Sequence, residues 1–303
     1  MSSFADALAA GPIVLDGGLG TLLESHGHDL SSSLWSAQLL VEDPAVIRRA
    51  HVEYFGAGAR VAITSSYQVS YAGLDAVGMG RRDADAVLAR SVELARQARE
   101  ESALSSREAW VAASVGPYGA ARADGSEYTG DYDLNVAQLR EWHRPRLHAL
   151  VAAAPDVLAI ETVPSLAELE ALCREIEGLG VPAWVSVTVA DGRLRSGDSL
   201  AEAFALAASV ADVVAVGVNC CDVEEVSGAL AELGSSRPGV VYPNSGEVWH
   251  ADAREWSGAA SAIASNAGGW VEGGARLVGG CCRVGPDQIA EIARAVATTT
   301  SRQ

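Results

Sequence analysis

The chain has 303 residues, with 22 Lys and Arg against 39 Asp and Glu, which gives a formal net charge of −17. So acidic a chain lacks the basic surface that binding to nucleic acid requires. All 22 cationic residues are arginines. This excludes Schiff-base enzymes, pyridoxal-phosphate enzymes and Walker A nucleotide sites, because each of them needs a lysine amine.

The location of the protein is predicted from its charge pattern and its cysteines. The first basic residue is Arg48, so the chain shows no basic leader, and no apolar run reaches the roughly 18 residues of a membrane helix. The cysteines are odd in number and include two adjacent pairs, a pattern that does not suit a disulfide framework. We therefore expect a cytoplasmic protein without a membrane partner. The cysteines are Cys173, Cys220, Cys221, Cys281 and Cys282.

Short β-rich apolar runs recur along the chain, and helical periodicity separates most of them. The clearest predicted helix covers residues 165–180, where Ser165 and Glu168 suggest a capping box and two glycines end the pattern. Cys173 lies at the edge of its apolar stripe and is interpreted as a core residue. The predicted strands are residues 13–15, 60–63, 110–113, 157–160, 183–187, 213–218, 240–242 and 275–278.

Eight βα units without a break in composition predict an α/β protein, a single (β/α)8 TIM-type barrel that spans residues 1–303 as one domain. The alternative is a doubly wound sheet with a phosphate loop at LDGGLGT, residues 15–21. That segment lacks the third glycine of the dinucleotide fingerprint, and no acid ends the second strand. Residues 116–133 and 243–251 are too polar and glycine-rich for regular elements, so we expect two long loops over one face.

Polar residues or thiols follow each predicted strand, where a barrel of this type places its chemistry. For Thr64, Ser114 and Thr188 a role in turns and helix caps is an equal alternative. Asp16 and Glu161 point to function, because carboxylates are poor strand residues and are costly to bury unpaired.

Three cysteines give the sharpest pattern. Cys220 ends the sixth predicted strand, and Cys281 and Cys282 end the eighth. Alternate strands of a barrel send side chains to the same interior layer, so these thiols can converge into a zinc site with an open fourth position. Small buried cysteines packed near glycines are the alternative, since no CxxC chelate is present. Cys221 should point away from Cys220 along the strand. The histidines form no HExxH-type chelate and are interpreted as surface or structural residues.

These segments, in this order, resemble the homocysteine S-methyltransferase family nearly from end to end. The combination of SVGPYGA, DGSEYTGDY and YPNSGE is most similar to the bacterial and plant enzymes that use S-methylmethionine or S-adenosylmethionine. The matching segments are LDGGLGT at residue 15, LWSAQLL at 34, PAVIRRAHVEYFGAGA at 44, ITSSYQVS at 63, SVGPYGA at 114, DGSEYTGDY at 124, ETVPS at 161, GVNC at 217, YPNSGE at 242 and GGCCR at 279.

The resemblance implies a Zn²⁺-dependent barrel enzyme. Cys220, Cys281 and Cys282 fall on the metal-ligand positions of the family. Other positions imply substrate contacts: Asp16, Gly17 and Glu161 would bind the amino-acid part of homocysteine, Trp35 and Tyr67 would lie near the methyl donor, and Asn219 and Asn244 are also assigned to substrate. A second cysteine, Cys221, departs from the GVNC pattern and would be exposed to oxidation with a neighbour.

The expected reaction moves a methyl group from S-methylmethionine or S-adenosylmethionine to the thiol of L-homocysteine and gives methionine. Three alternatives stay open. A betaine-type or selenohomocysteine methyltransferase would use the same barrel. A metallohydrolase would need histidine ligands and a base for water. A non-catalytic zinc-binding or thiol protein would keep the three cysteines without turnover.

Overall fold

A computed structural model describes residues 3–30, 36–122, 124–250, 255–258 and 263–301. Its centre is a sheet of eight parallel strands in which each strand pairs with its neighbours in the chain. A parallel bridge between Leu15 and Val61 joins the first strand to the second and closes the ring. The predicted (β/α)8 barrel is thus confirmed. The strands are β1 (Ile13–Val14), β2 (Val61–Ile63), β3 (Trp110–Val115), β4 (Val157–Val163), β5 (Ala183–Val187), β6 (Val213–Asn219), β7 (Gly239–Tyr242) and β8 (Ala275–Val278).

Helices surround the barrel and fill the connections between its strands. In the described part of the chain they are α1 (Phe4–Ala10), α2 (Leu19–Ser25), α3 (Ser36–Glu42), α4 (Pro44–Ala57), α5 (Tyr71–Asp75), α6 (Arg81–Glu101), α7 (Tyr118–Arg122), α8 (Val136–Ala152), α9 (Leu166–Ile176), α10 (Leu200–Ser209), α11 (Val223–Leu233), α12 (Ile263–Glu272) and α13 (Pro286–Thr300). None of the helices in the described ranges is long and apolar enough to cross a membrane.

The strands bury both faces, as parallel strands covered by helices do. In β4, Ala159 belongs to the apolar cluster inside the barrel, whereas Leu158 and Ile160 belong to the larger cluster between barrel and helices. Helix α1 closes the floor, because the Phe4 ring packs 5.8 Å from the ring of Trp110. With an aromatic floor, the open end of the barrel is at the carboxyl ends of its strands.

Helix α9 is shorter than predicted and its cap differs from the expected capping box. Ser165 does accept a hydrogen bond from the Glu168 amide. The Glu168 carboxylate does not return to Ser165; it is fully buried and binds the amide of Tyr118 at 2.6 Å and the Nε2 of His143 at 2.8 Å. The sequence pattern was right about the start of the helix and wrong about this carboxylate, because a tertiary contact replaced the local one. Cys173 is buried on α9, as predicted.

The two stretches predicted to lack regular structure contain short elements, so that prediction was wrong. Residues 116–133 include α7 and a 3-10 turn at Ser126–Tyr128. After β7, Val248–His250 pairs antiparallel with Glu255–Ser257. Backbone hydrogen bonds stabilise these elements despite their polar, glycine-rich sequences. Both stretches follow strands at their carboxyl ends, on the same face of the barrel.

Candidate metal centre and substrate cavity

A cavity of about 150 Å³ opens at the carboxyl ends of the strands. The loops after β1, β2, β3, β6 and β8 and the ends of strands β4 and β7 contribute to its wall, so residues far apart in the chain meet there. Its lining combines glycine backbone, aromatic rings, hydroxyls, carboxylates and thiols. The polar and aromatic side chains of the lining are Thr21, Thr64, Ser65, Tyr67, Gln68, Ser114, Glu127, Tyr128, Glu161, Thr162, Cys220, Tyr242, Cys281 and Cys282.

The structure brings three thiols together in this cavity. The sulfurs of Cys220, Cys281 and Cys282 all lie within 4.8 Å of one another. The Cys220 and Cys282 sulfurs are 3.8 Å apart, and those of Cys281 and Cys282 are 4.0 Å apart. Three sulfurs bound tetrahedrally at about 2.3 Å from one zinc ion would be about 3.8 Å apart. The donor set therefore fits Zn²⁺, with room for a fourth ligand from the cavity side.

The thiols also interact electrostatically. Hydrogen bonds from Cys281 and Cys282 hold the pKa of Cys220 well below its ordinary value, and the Tyr128 hydroxyl, 3.3 Å from the Cys220 sulfur, adds to this shift. The hydrogen bonds that Cys281 and Cys282 make with Cys220 raise their own pKa values. Cys220 is thus the thiol most easily deprotonated, and thiolates are the form that binds metal.

The local backbone conformation determines the directions in which the side chains of Cys220 and Cys221 point. Cys220 follows β6 with a φ of 50°, a left-handed conformation uncommon outside glycine. The turn ends the strand, and Cys221 lies in the apolar layer outside the barrel. Burial accordingly raises the pKa of Cys221. The two adjacent cysteines therefore face different environments, as predicted, but a turn at Cys220 separates them and not the continuation of the strand that the prediction assumed.

Asn244 connects the two cysteine segments. Its amide donates to the Cys221 carbonyl at 2.9 Å, and its side-chain oxygen accepts from the Cys282 amide at 3.2 Å. The neighbouring Pro243 carbonyl accepts from the Cys281 amide at 2.8 Å. Asn244 is not among the residues that line the cavity. These contacts assign Asn244 to positioning the thiols; its predicted substrate contact stays a prediction.

Glycines are required where the loop after β1 passes beneath the cysteine turn. A Cβ on Gly17 would lie 2.1 Å from the Val284 carbonyl oxygen, and one on Gly18 would lie 2.5 Å from that of Cys281. Real side chains do not approach so closely. The predicted role of Gly17 in substrate binding is compatible with its place in the cavity lining, but packing alone already demands glycine there.

Glu161, at the inner face of β4, is buried beneath the cavity. Ser114 donates a short hydrogen bond to its Oε1, and the Tyr242 hydroxyl donates to Oε2 at 3.1 Å. Tyr242 itself accepts from the Trp184 indole at 3.1 Å. Burial raises the pKa of Glu161 to about 7. A cationic group entering the cavity would stabilise the ionised form of this carboxylate.

Asp16 lies behind Gly17 and is only 1% exposed. Its Oδ2 accepts from the Ile63 amide at 2.8 Å, while its buried Oδ1 has no partner among the described residues. Burial raises the pKa of Asp16 well above its usual range, and the nearby charge of Glu161 also raises it. An unpaired buried carboxylate oxygen is costly unless a ligand satisfies it. Asp16 does not itself line the cavity, so its predicted role in substrate binding stays a prediction.

Asn219, the last residue of β6, positions the segment that follows Glu161. Its Oδ1 accepts from the Thr162 amide at 2.7 Å, and its Nδ2 donates to the Thr162 hydroxyl at 2.7 Å. Thr162 has a φ of 59°. Both hydrogen bonds are buried, and Asn219 is not part of the cavity lining. It therefore orients Glu161 from behind, and its predicted substrate contact is untested.

We expect Asn219→Ala to destabilise the fold by about 2 to 4 kcal/mol, because two buried hydrogen bonds are lost and the Thr162 amide is left unsatisfied. The KM for homocysteine, the acceptor that the family resemblance implies, should rise as Glu161 loses its support. Thermal unfolding and homocysteine kinetics measure the two effects. Asn135→Ala is the matched control. Asn135 caps the exposed start of α8, so this variant should lose about 1 kcal/mol of folding stability without any change in the homocysteine KM. An unchanged homocysteine KM in Asn219→Ala would contradict the positioning role.

Among the other predicted residues, Tyr67 lies in the cavity wall, and Trp35 lies outside the described residues. Sequence reasoning gave no role to Tyr242, Glu127 or Tyr128, although the last two belong to the DGSEYTGDY segment that it singled out. Tyr242 was counted as part of a strand. The sequence around Tyr242 gives no sign of this role, because the residues that bind its hydroxyl belong to strands β4 and β5 across the barrel.

A parallel barrel that gathers three thiols at the carboxyl ends of its strands defines a class of (β/α)8 enzymes with a sulfur-ligated metal. Within that class, the chain belongs to the homocysteine S-methyltransferase family, whose profile matches residues 13–296. The enzyme class predicted from the sequence is thereby confirmed.

Individual relatives resemble the chain over nearly its whole length. Homocysteine S-methyltransferase 4 of Zea mays is 44% identical, covering 95% of this chain and 90% of the relative. Homocysteine S-methyltransferase YbgG of Bacillus subtilis is 42% identical, covering 93% of each. The metallated crystal form of the Escherichia coli homocysteine methyltransferase MmuM superposes with a TM-score of 0.84 at 42% identity, covering 94% of this chain and 96% of that one.

Proposed function

We propose that this protein transfers a methyl group from a sulfonium donor to the thiol of L-homocysteine and so produces methionine, with Zn²⁺ as its cofactor. S-methylmethionine is the proposed first donor and S-adenosylmethionine the second. Residues 1–303 would act as one domain. Three free thiols that must stay reduced to bind metal support a reducing compartment such as the cytoplasm.

One observation supports this function most strongly: three thiols and the Glu161 carboxylate share one cavity, and no Lys, Arg or His belongs to its described lining. Such a cavity favours cations. Both proposed substrates bear a cationic group near the reacting atoms, the ammonium of homocysteine and the sulfonium of the donor. The cavity attracts a sulfonium donor until the methyl group leaves, because the sulfur of the donor loses its positive charge at that step.

Cys220, Cys281 and Cys282 would hold the zinc ion. Bound there, zinc supplies a substrate thiol as a thiolate at neutral pH and orients it. The chain's own residues do the rest. Asp16 and Glu161 bind the homocysteine ammonium, while the rings of Tyr67 and Tyr128 form the wall near the donor and add cation–π attraction of about 0.5 to 2 kcal/mol. No general base is needed for in-line methyl transfer to an existing thiolate.

The two buried histidines of the helices stand apart from this site. His51 lies on α4 and His143 on α8. Burial lowers the pKa of His51 to about 4, which keeps it neutral. A metallohydrolase would need histidine ligands and a base for water. The thiol donor set, without histidine in the described metal cluster, therefore favours methyl transfer over hydrolysis.

A comparison of donors tests the proposal. With homocysteine as acceptor, we expect methionine to form fastest from S-methylmethionine, more slowly from S-adenosylmethionine, and not from betaine or methyltetrahydrofolate. A single barrel leaves no room for a folate or cobalamin domain, and its loops resemble those of sulfonium-using enzymes. Methionine release measured side by side decides the order. Betaine turnover equal to that of S-methylmethionine would assign the protein to the betaine-type alternative, and no turnover with any donor would leave a non-catalytic thiol protein.

A further inference from the structure

A third carboxylate faces the cavity and has no role in the mechanism above. Glu127 lies in the 3-10 turn Ser126–Tyr128 of the loop after β3 and lines the cavity. Its Oε2 is buried and has no hydrogen-bond partner among the described residues. Burial, with a smaller contribution from the charge of Cys220, raises the pKa of Glu127 to about 7. A buried carboxylate oxygen without a partner indicates a site for a donor group from a ligand.

The loop places Glu127 rigidly. A Cβ on Gly119, in α7, would lie 2.3 Å from the Glu127 amide nitrogen, so the turn packs directly on the glycine backbone. Asp124 accepts from the Ser126 amide at 3.0 Å and fixes the start of the turn. At the far side, the Tyr118 amide is bound by the buried Glu168. A carboxylate held on such a support is oriented before any ligand arrives, which lowers the entropic cost of binding.

Glu127 lies in the loop after β3 and not at a strand end, and the hydroxyl of its neighbour Tyr128 is 3.3 Å from the Cys220 sulfur. The charge of Glu127 is the largest electrostatic influence on Tyr67, whose pKa is raised chiefly by burial and then by Glu127. Asp16 and Glu161, in contrast, are at the ends of β1 and β4, and the charge of Glu161 raises the pKa of Asp16. Glu161 also raises the pKa of Tyr67, but less than Glu127 does. The proposed function places Tyr67 near the methyl donor, so Glu127 is the carboxylate most closely associated with the donor.

We propose, on the basis of the proposed function, that Glu127 binds the α-ammonium group of an amino-acid methyl donor. The ammonium fits better than the sulfonium for a physical reason. A sulfonium loses its charge as the methyl group leaves, so a carboxylate against it would stabilise the ground state more than the transition state. An ammonium at the far end of the donor keeps its charge throughout and provides binding without slowing the transfer.

Glu127→Gln tests this assignment, because it keeps the shape of the side chain and removes its charge. We expect KM for S-methylmethionine to rise about tenfold to a hundredfold, the loss of one charge-assisted hydrogen bond, while KM for homocysteine and kcat at saturating donor stay near the wild-type values. Titration calorimetry with S-methylmethionine alone, without acceptor, should show the same loss of affinity. Glu127→Asp should recover part of it.

Asp131→Asn is the matched control. It removes one negative charge from the same loop, but Asp131 is exposed and does not belong to the support of the Glu127 turn. Both KM values should stay unchanged in this variant. Dimethylsulfoniopropionate, a sulfonium without an ammonium, is the matched donor: its poor use by the wild type should be unaffected by Glu127→Gln.

Each other outcome overturns the assignment in a recognisable way. A rise in homocysteine KM alone would place Glu127 with the acceptor. Equal losses for S-methylmethionine and dimethylsulfoniopropionate would place it against the sulfonium. Unchanged affinities with a lower unfolding temperature would make it a structural residue only. If the wild type transferred no methyl group yet bound S-methylmethionine through Glu127 in calorimetry, the proposed function would fail while this assignment held.

Discussion

Replacing Cys220, Cys281 or Cys282 by alanine should remove zinc and methyl transfer together. Each sulfur supplies one of the three protein ligands, and their mutual spacing of 4.8 Å or less already matches a single ion. Two remaining thiolates hold a zinc ion far more weakly than three. Metal analysis of the purified proteins should give about one zinc per chain for the wild type and little for the variants.

The neighbouring cysteines serve as matched controls. Cys173 is buried on α9 and Cys221 in the outer apolar layer, so Cys173→Ala and Cys221→Ala should keep both metal and activity. These two variants should lose only the folding stability that corresponds to a small cavity in the core. Chelator treatment should lower the unfolding temperature of the wild type and the control variants but not that of the ligand variants, since binding to the native state alone stabilises it. Full zinc retention in two of the three ligand variants would contradict the assignment of these cysteines as zinc ligands.

Asp16→Asn and Glu161→Gln should weaken homocysteine binding about tenfold to a hundredfold while zinc content is unchanged. Both carboxylates are buried with raised pKa values, and the Oδ1 of Asp16 has no partner in the described part of the chain, so an ammonium could provide one. A charge-assisted hydrogen bond to that ammonium is worth about 1.5 to 3 kcal/mol. Homocysteine KM, measured at saturating donor, and metal content per chain check the two halves of the prediction.

A simple mercaptan without an amino group separates substrate binding from chemistry. The wild type should use it poorly, and neither variant should lower that rate much further, since the ammonium contact is already absent. Glu175→Gln is the matched control: this glutamate on α9 pairs with Arg140 and Arg144 outside the barrel, so homocysteine KM should not change. Equal losses of turnover with homocysteine and mercaptan would mean that Asp16 and Glu161 serve the methyl-transfer chemistry itself.

The barrel and its thiols were predictable because their signals are local. In the sequence, each βα unit shows a short apolar run for its strand and apolar residues at helical spacing for its helix. Eight such units predict the closed ring. The thiols of Cys220 and Cys281 end two of the runs, so the rule that alternate strands share an interior layer was enough to bring them together. Strand position left a zinc site and buried structural cysteines as alternatives, and the family resemblance, which puts the three cysteines on metal-ligand positions, favoured zinc before any distance was known.

The support of that site was decided only by tertiary structure. Nothing near Glu168 in the sequence shows that its carboxylate leaves the helix cap for Tyr118 and His143. Likewise, Tyr242 reads as a strand residue until the barrel closes and places its hydroxyl 3.1 Å from Glu161. Such contacts join segments far apart in the chain, and their energies depend on packing and burial, which sequence periodicity does not encode.

The sequence by itself determined the architecture, the thiol donor set and the two carboxylates at the ends of β1 and β4, because strand periodicity places these residues without reference to their neighbours. Only the tertiary structure decided that Asn219 and Asn244 brace the site from outside the cavity, and that Glu127 lines it with an oxygen that has no partner among the described residues. The physical reason is that loops take their conformation from long-range hydrogen bonds and close packing, and the chain acquires both only when the barrel has closed.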